Sequence, residues 1–110
     1  MLLRLPENKK IIWTKHSKGK MRQYQFSEKR VLRILRKPDR KEIGVAPKTL
    51  AAMQVAGTKK HPTEVWMMYQ SINQKIRIIS AWRYPGRTPI GKPPLIPQDT
   101  LRDLDNILKG

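Results

Sequence analysis

Cysteine is absent from the sequence, and histidine occurs only as His16 and His61. Without cysteine the chain forms neither a disulfide framework nor a thiolate metal site. The acidic residues number only eight, and no acid or histidine pair shows a recognisable metal-ligand spacing. We therefore expect no metal and no other cofactor, and paired-carboxylate catalysis is disfavoured as well.

Long apolar runs are also missing. No stretch approaches the roughly 20 apolar residues that a membrane span needs, and Arg4 and Pro6 break the apolar start of the chain. We therefore expect no membrane partner and a cytoplasmic location, with which the lack of cysteine agrees. The 110 residues suffice for one modest core. We assign 1–90 to an α+β domain and 91–110 to a proline-rich tail with a short helix.

Positive charge is the strongest feature of the sequence. Lysine and arginine number 24 against eight acids, which gives a formal net charge of +16. Three of the acids, Asp99, Asp103 and Asp105, lie together near the C-terminus. The excess of basic over acidic residues in the preceding chain is therefore even more pronounced. Such an excess destabilises a compact domain unless a polyanion offsets it, and it is typical of nucleic-acid-binding domains. The alternatives are a solvated basic surface or an anionic membrane surface, although no segment shows the broad apolar face of an interfacial helix.

Residues 28–36 are predicted to form an amphipathic helix. Ser27 is a favoured N-cap residue, and Glu28 places an acid in the first turn, where the helix dipole favours it. Apolar residues at positions 31, 32, 34 and 35 have the spacing of a buried stripe, and basic residues occupy the other face. Pro38 ends this helix at or before Lys37.

Two shorter helices are predicted elsewhere. One spans about 18–24, where Gly19 weakens the pattern. The other lies near the C-terminus, with Asp99 or Thr100 as its cap and Leu101, Leu104 and Leu108 on one face. The segment 84–97 before it is rich in proline and glycine, which predicts irregular structure.

The remaining segments are predicted to be strands. They are KIIWT at 10–14 and then KEIGVAP, TLAAMQVAG, EVWMMYQ and KIRIISAWRY, separated by turn-like breaks. The segment TLAAMQVA also has helix propensity, but its close boundaries favour a strand. EVWMMYQ is almost continuously apolar, as in a central strand covered on both faces. The predicted fold is α+β: a small curved antiparallel sheet with two N-terminal helices packed on one face and a short C-terminal helix.

Metal-free RNA cleavage is the catalytic chemistry that these residues leave open. It needs a base for the 2′-hydroxyl proton, an acid for the leaving oxygen and cations for the phosphorane charge. We assign candidate catalytic roles to three residues. His16 is the general acid or base, Arg83 stabilises the phosphate charge, and Tyr84 orients or stacks on a nucleobase. Further side chains are predicted to bind nucleic acid: Lys15, Lys18, Lys20, Arg22, Arg33, Arg36, Trp82 and Arg87.

Each of these residues also has a purely structural interpretation. A histidine such as His16 is more often a capping or turn residue than a base. Trp82 is as well suited to filling the core at the sheet edge as to stacking on a nucleobase. The arginines of residues 28–36 are equally consistent with a solvated helix face.

The segment KHSKGKMRQYQFSEKRVLRILRKPD, residues 15–39, resembles the opening of an uncharacterised bacterial and phage domain family related to RelE-like and BrnT-like toxins. The segment KIRIISAWR is similar to the last strand of that family. The sequence departs from the family at Lys20 and Tyr24, where arginine is common, and in the proline-rich tail. The matching positions in the first segment are His16, Met21, Ser27, Val31, Leu35 and Pro38.

The resemblance implies the barnase–EndoU–colicin–RelE type of fold and a ribonuclease toxin or a descendant of one. Two functions follow as alternatives. The first is a RelE-like toxin that binds RNA, free or on the ribosome, and acts as a metal-independent endoribonuclease. The second is a non-catalytic, ribosome-associated nucleic-acid-binding module. A toxin of this charge is also expected to have an acidic antitoxin protein as partner.

Overall fold

A computed structural model describes residues 9–92 and 95–109, which form a five-stranded sheet and four helices. The strand order is β1-β5-β4-β3-β2, and the fold is α+β as predicted. The elements are β1 (Lys10–Trp13), α1 (Lys15–Tyr24), α2 (Glu28–Arg36), β2 (Arg40–Ile43), β3 (Thr49–Gly57), β4 (Pro62–Ile72), β5 (Lys75–Tyr84), α3 (Gln98–Arg102) and α4 (Leu104–Lys109).

The sheet is mixed rather than wholly antiparallel. Strands β2 to β5 form the predicted antiparallel meander, but β1 lies parallel to β5, with Lys10 opposite Lys75 and Trp13 opposite Ile78. The prediction of an antiparallel sheet is therefore wrong for this one strand. No hairpin joins β1 to β5, so the direction of β1 is not constrained by a turn and depends on tertiary packing.

The central strand is β4, which is buried from Glu64 to Gln70. Its continuous apolar sequence follows from packing on both faces, as predicted. The segment TLAAMQVA is strand β3, because β2 and β4 satisfy its backbone from both sides. Sheet pairing therefore outweighs the helix propensity of its alanine, leucine and methionine.

Helix α2 has the predicted bounds. The side chain of Ser27 accepts a hydrogen bond from the backbone N–H of Arg30 at 3.1 Å. Val31 and Ile34 are the buried residues of its apolar stripe. The local capping and periodicity signals were therefore sufficient to define this helix.

Helix α1 begins at Lys15, three residues earlier than the predicted residue 18. The reason is Thr14, whose Oγ1 accepts from the backbone N–H of Ser17 at 3.1 Å and donates to the carbonyl of Ile78 at 2.7 Å. The same hydroxyl therefore caps the helix and attaches its start to β5. His16 consequently lies in the first turn of α1.

Both N-terminal helices pack on one face of the sheet, as predicted. Met21 and Phe26 from the α1 region and Val31 and Ile34 from α2 join a buried cluster with Met67 and other residues of the sheet. The opposite face carries a second cluster that is covered by the C-terminal part of the chain. Its buried members are Ala51, Met53, Trp66, Met68, Ile79, Trp82 and Ile107.

The predicted single C-terminal helix is two short helices, α3 and α4, with Asp103 between them. Helix α3 follows Pro97 without a side-chain cap, so the capping roles predicted for Asp99 and Thr100 are wrong. Thr100 is instead buried inside α3. The exposed Leu101 does not share the buried face, where Ile107 is found. The division of the chain at residue 90 stays a prediction.

Candidate functional site

His16 joins the start of α1 to α3 and β5. Its Nε2 lies 2.9 Å from Oγ1 of Thr100, and that oxygen lies 2.9 Å from Oγ of Ser80. Thr100 and Ser80 are fully buried, so this chain of polar groups runs from a half-buried imidazole into the protein. Since histidine donates from only one nitrogen when neutral, the tautomer that donates from Nε2 leaves Nδ1 as an acceptor.

The surroundings favour the neutral form of this histidine. Burial is the largest effect and lowers the pKa of His16, and the charge of Lys20 lowers it as well. The carboxylates of Asp99 and Asp103 raise the pKa but do not outweigh burial. The net result is a pKa below the ordinary value of histidine. A neutral imidazole at neutral pH is the form that accepts a proton.

A cleft of about 550 Å³ opens beside His16. One wall comes from the start of α1 and the other from the α4 region. The lining residues are Thr14, Lys15, His16, Asp103, Asn106 and Ile107. Lys15 is exposed at this cleft and is the basic side chain nearest to His16 along the chain.

Lys20 does not take the phosphate-binding role that was predicted for it. Only 4% of the residue is exposed, and its Nζ lies 3.0 Å from Oδ2 of Asp99. This ion pair holds α3 against α1, and it lowers the pKa of Asp99 against the opposing effect of burial. A buried and neutralised ammonium attracts a polyanion only weakly.

Trp82 belongs to the core, not to a nucleobase platform. It is 2% exposed and stacks on Trp66 with ring centroids 6.1 Å apart and an interplanar angle of 6°. Of the two interpretations of this residue, the structure therefore supports the core-filling one and contradicts the nucleic-acid-binding one. The reason is its register opposite Trp66 on β4, which directs both rings into the second cluster.

Arg83 and Tyr84 lie at the end of β5 but on opposite faces of the sheet. The Arg83 guanidinium lies over the ring of Phe26, on the face that α1 and α2 cover, at 5.2 Å from the centroid. Tyr84 packs against the second cluster on the other face. Consecutive strand residues alternate between faces, so the two side chains do not meet in one site. Their catalytic roles stay predictions.

The basic side chains on the outer surfaces of α1 and α2 are exposed. Within residues 9–92 and 95–109, every ion pair involves Lys20, Arg40 or Arg87 and none involves these side chains. We call this set the basic face, and among the predicted nucleic-acid-binding residues it contains Lys15, Lys18, Arg22, Arg33 and Arg36.

Arg87 has a different role, since its Nε lies 3.1 Å from Oε2 of the buried Glu64. About half of the Arg87 side chain, 47%, remains exposed. This residue lines a second depression, of about 410 Å³, at the β3–β4 turn with Lys59. Arg87 is therefore partly neutralised and lies apart from the basic face.

Arg30 is partly buried, unlike the solvated helix residue that its sequence position suggests. Its guanidinium lies 5.7 Å from the centroid of the Phe26 ring, over which Arg83 also lies. Arg33 follows one turn later on α2. We call these three side chains, Arg30, Arg33 and Arg83, the arginine cluster. No local signal predicts it, because Arg83 comes from a strand 53 residues further along the chain than Arg30.

No group of three or more histidine, aspartate or glutamate side chains suited to a metal ion occurs in the described ranges. No helix in the same ranges is long and apolar enough to cross a membrane. No family model, no curated protein and no solved structure matches this chain. The resemblance to RelE-like toxins therefore stays a prediction from the residues quoted above.

Proposed function

We propose that this protein binds RNA through the basic face of α1 and α2, as a cytoplasmic protein of RelE-like toxin type. The observation that carries the proposal is that this face is exposed and has no acidic partner in the described part of the chain. A surface of this kind gains free energy when phosphates displace its counterions.

Four acids of the described residues are engaged elsewhere, which supports the same conclusion. Glu64 is buried together with the groups that donate hydrogen bonds to it. Glu42 pairs with Arg40, and Asp99 pairs with Lys20. The Asp39 carboxylate accepts from the backbone N–H of Val55. These four acids therefore do not pair with the basic face, and among the described acids only Glu28 lies on α1 or α2.

The salt dependence of RNA binding tests this proposal. We expect log K for a single-stranded RNA to fall linearly with log salt concentration, with a slope of about −0.7 per phosphate contacted. Combined Lys18→Gln, Arg22→Gln and Arg36→Gln substitutions should reduce that slope by about 2. The measurement is fluorescence anisotropy of a labelled oligonucleotide over a salt series.

The matched control removes the same charge from other surfaces. Lys41→Gln, Lys59→Gln and Lys109→Gln alter exposed lysines on β2, the β3–β4 turn and α4. If both triple variants reduce the slope equally, binding is nonspecific and the basic face has no special role. If the wild type does not bind RNA even at low salt, the proposed function is wrong.

A second candidate function is metal-independent RNA cleavage at His16, and the lowered pKa of His16 beside an open cleft favours it. In this reaction the 2′-oxygen attacks the adjacent phosphorus while its proton passes to the imidazole. The P–O5′ bond breaks, and the leaving 5′-oxygen takes a proton from solvent. The products are a 2′,3′-cyclic phosphate and a 5′-hydroxyl, and Lys15 is the nearby cation for the developing charge.

Cleavage of a defined RNA in EDTA tests this candidate. We expect the wild type to cut with a rate that rises with pH through the lowered pKa of His16, and His16→Gln to lose about 100-fold or more of that rate. His61→Gln, purified in parallel, is the control because His61 is exposed at a turn. Equal rates for the two variants would exclude His16 as the base. An acidic antitoxin partner is part of this candidate and would cover the same basic face.

A further inference from the structure

The arginine cluster brings three cations together, and no carboxylate of the described residues forms an ion pair with them. Arg30 and Arg83 come from different elements and lie over one Phe26 ring, at 5.7 Å and 5.2 Å from its centroid. Within the described ranges, none of the three arginines takes part in an ion pair. Cation–π contacts at partly exposed sites are weak, so the ring by itself offsets little of the repulsion between the arginines.

The arrangement also leaves a polar atom without a partner. Nε of Arg30 is buried from solvent and has no hydrogen-bond acceptor among the described residues. Burial lowers the pKa of Arg30, and the charges of Arg83 and Arg33 lower it further. Buried donors are almost always satisfied in folded proteins, so an unpartnered guanidinium nitrogen at this position is an exception that requires an explanation.

We propose that Arg30 and Arg83, supported by Arg33, form a binding site for a phosphate group. This site deepens the RNA-binding proposal by naming the residues that anchor the RNA backbone. It rests on that proposal only for the source of the phosphate group. A phosphate is favoured because each guanidinium offers a fork of donors that matches two of its oxygens. Its negative charge would relieve the repulsion within the arginine cluster.

Phe26 positions the guanidinium groups of Arg30 and Arg83 but does not contact a nucleobase. The residue is 5% exposed, and Tyr24 stacks on it with ring centroids 5.6 Å apart. The ring is therefore enclosed by protein and offers no free face to a nucleobase, while the Ser27 cap fixes the start of α2, the helix that carries Arg30. The predicted ligand is the phosphate alone, with no preference for the attached base.

Binding of pyrophosphate tests the site without requiring any RNA. We expect pyrophosphate to raise the melting temperature of the wild type above that in chloride at equal ionic strength. Arg30→Gln and Arg83→Gln should each weaken pyrophosphate binding about tenfold. Arg83→Lys should weaken it less than Arg83→Gln, because lysine keeps the charge and loses the fork. Arg102→Gln, at an exposed arginine of α3 outside both the basic face and the arginine cluster, is the control.

The outcomes separate this site from the proposed function. Pyrophosphate binding that is unchanged in the Arg30→Gln, Arg83→Gln double variant would overturn the site even if RNA still binds. Binding that is lost in the double variant and kept in Arg102→Gln supports the site, and it does so even if RNA fails to bind and the proposed function is wrong. Competition of pyrophosphate with bound RNA would then assign the phosphate to the RNA backbone. Lack of competition would assign it to a free phosphate compound.

Discussion

Glu64 is a fully buried carboxylate on the central strand, and its environment determines its charge. Oε1 accepts from Oγ1 of Thr88 at 2.7 Å and from Nε1 of Trp66 at 2.9 Å. Oε2 accepts from the backbone N–H of Thr88 and from Nε of Arg87, both at 3.1 Å. Burial by itself would raise the pKa of Glu64, but the bonds from Thr88, Trp66 and Arg87 outweigh it and lower the pKa.

Replacing this carboxylate should destabilise the fold. Glu64→Gln keeps the shape but places an amide donor opposite existing donors, so we expect a loss of about 3 kcal/mol in the free energy of unfolding at neutral pH. Urea denaturation measures this loss. Glu28→Gln, at an exposed position of α2, is the control and should cost about 0.5 kcal/mol or less.

The same residue predicts acid sensitivity. Because folding lowers the pKa of Glu64, its stabilising contribution is fully present above the unfolded pKa of about 4.3. The contribution is lost as the pH falls through the still lower folded pKa. The gap in unfolding free energy between wild type and Glu64→Gln should therefore narrow in acid. A gap that is constant from neutral pH to about pH 3 would contradict the lowered pKa.

At the scale of single elements, the bounds of some helices follow from neighbouring residues and those of others from contacts with distant residues. Helix α2 was predictable in full because its cap, apolar stripe and stop are all encoded within about a dozen consecutive residues. Helix α1 was only partly predictable. Thr14 is a recognisable N-cap residue, but the bond of its side chain to the Ile78 carbonyl depends on β5.

The C-terminal helices show the same dependence. Helix α3 starts after Pro97 and ends at Asp103, whose backbone N–H bonds to the carbonyls of Asp99 and Leu101, while its side chains contact distant residues. Thr100 is held between His16 and Ser80, and Asp99 is held by Lys20. Residues that a sequence pattern assigns to caps are therefore used to attach α3 to α1 and β5.

At the scale of the whole molecule, the excess of positive charge is the main property. The formal net charge is +16, and the exposed basic residues of α1 and α2 have no acidic partner within the described ranges. Self-repulsion of this kind lowers the stability of the compact state and is relieved when counterions or a polyanion gather at the surface. The free protein should therefore be more stable in salt than without it.

Thermal unfolding at two ionic strengths checks this expectation. Between about 0.01 M and about 0.15 M salt the Debye length falls from about 30 Å to about 8 Å. We expect a stabilisation of about 1 kcal/mol, or a rise in Tm of about 4 °C. The variant with Lys18→Gln, Arg22→Gln and Arg36→Gln should show a smaller rise. A Tm that is unchanged or lower in salt would mean that self-repulsion is not a significant cost.

Composition and local periodicity were sufficient to predict the α+β class, helix α2, the meander of four strands and the excess of basic charge, but not the division of the C-terminal helix into α3 and α4. These properties follow from composition and from periodicity between near neighbours in the chain. Three features depend instead on the folded chain: the parallel pairing of β1, the burial of Lys20 and Trp82, and the approach of Arg30 and Arg83 to the same Phe26 ring. The physical reason is that burial, ion pairing and cation–π contact depend on distances between residues far apart in sequence, which no local pattern encodes.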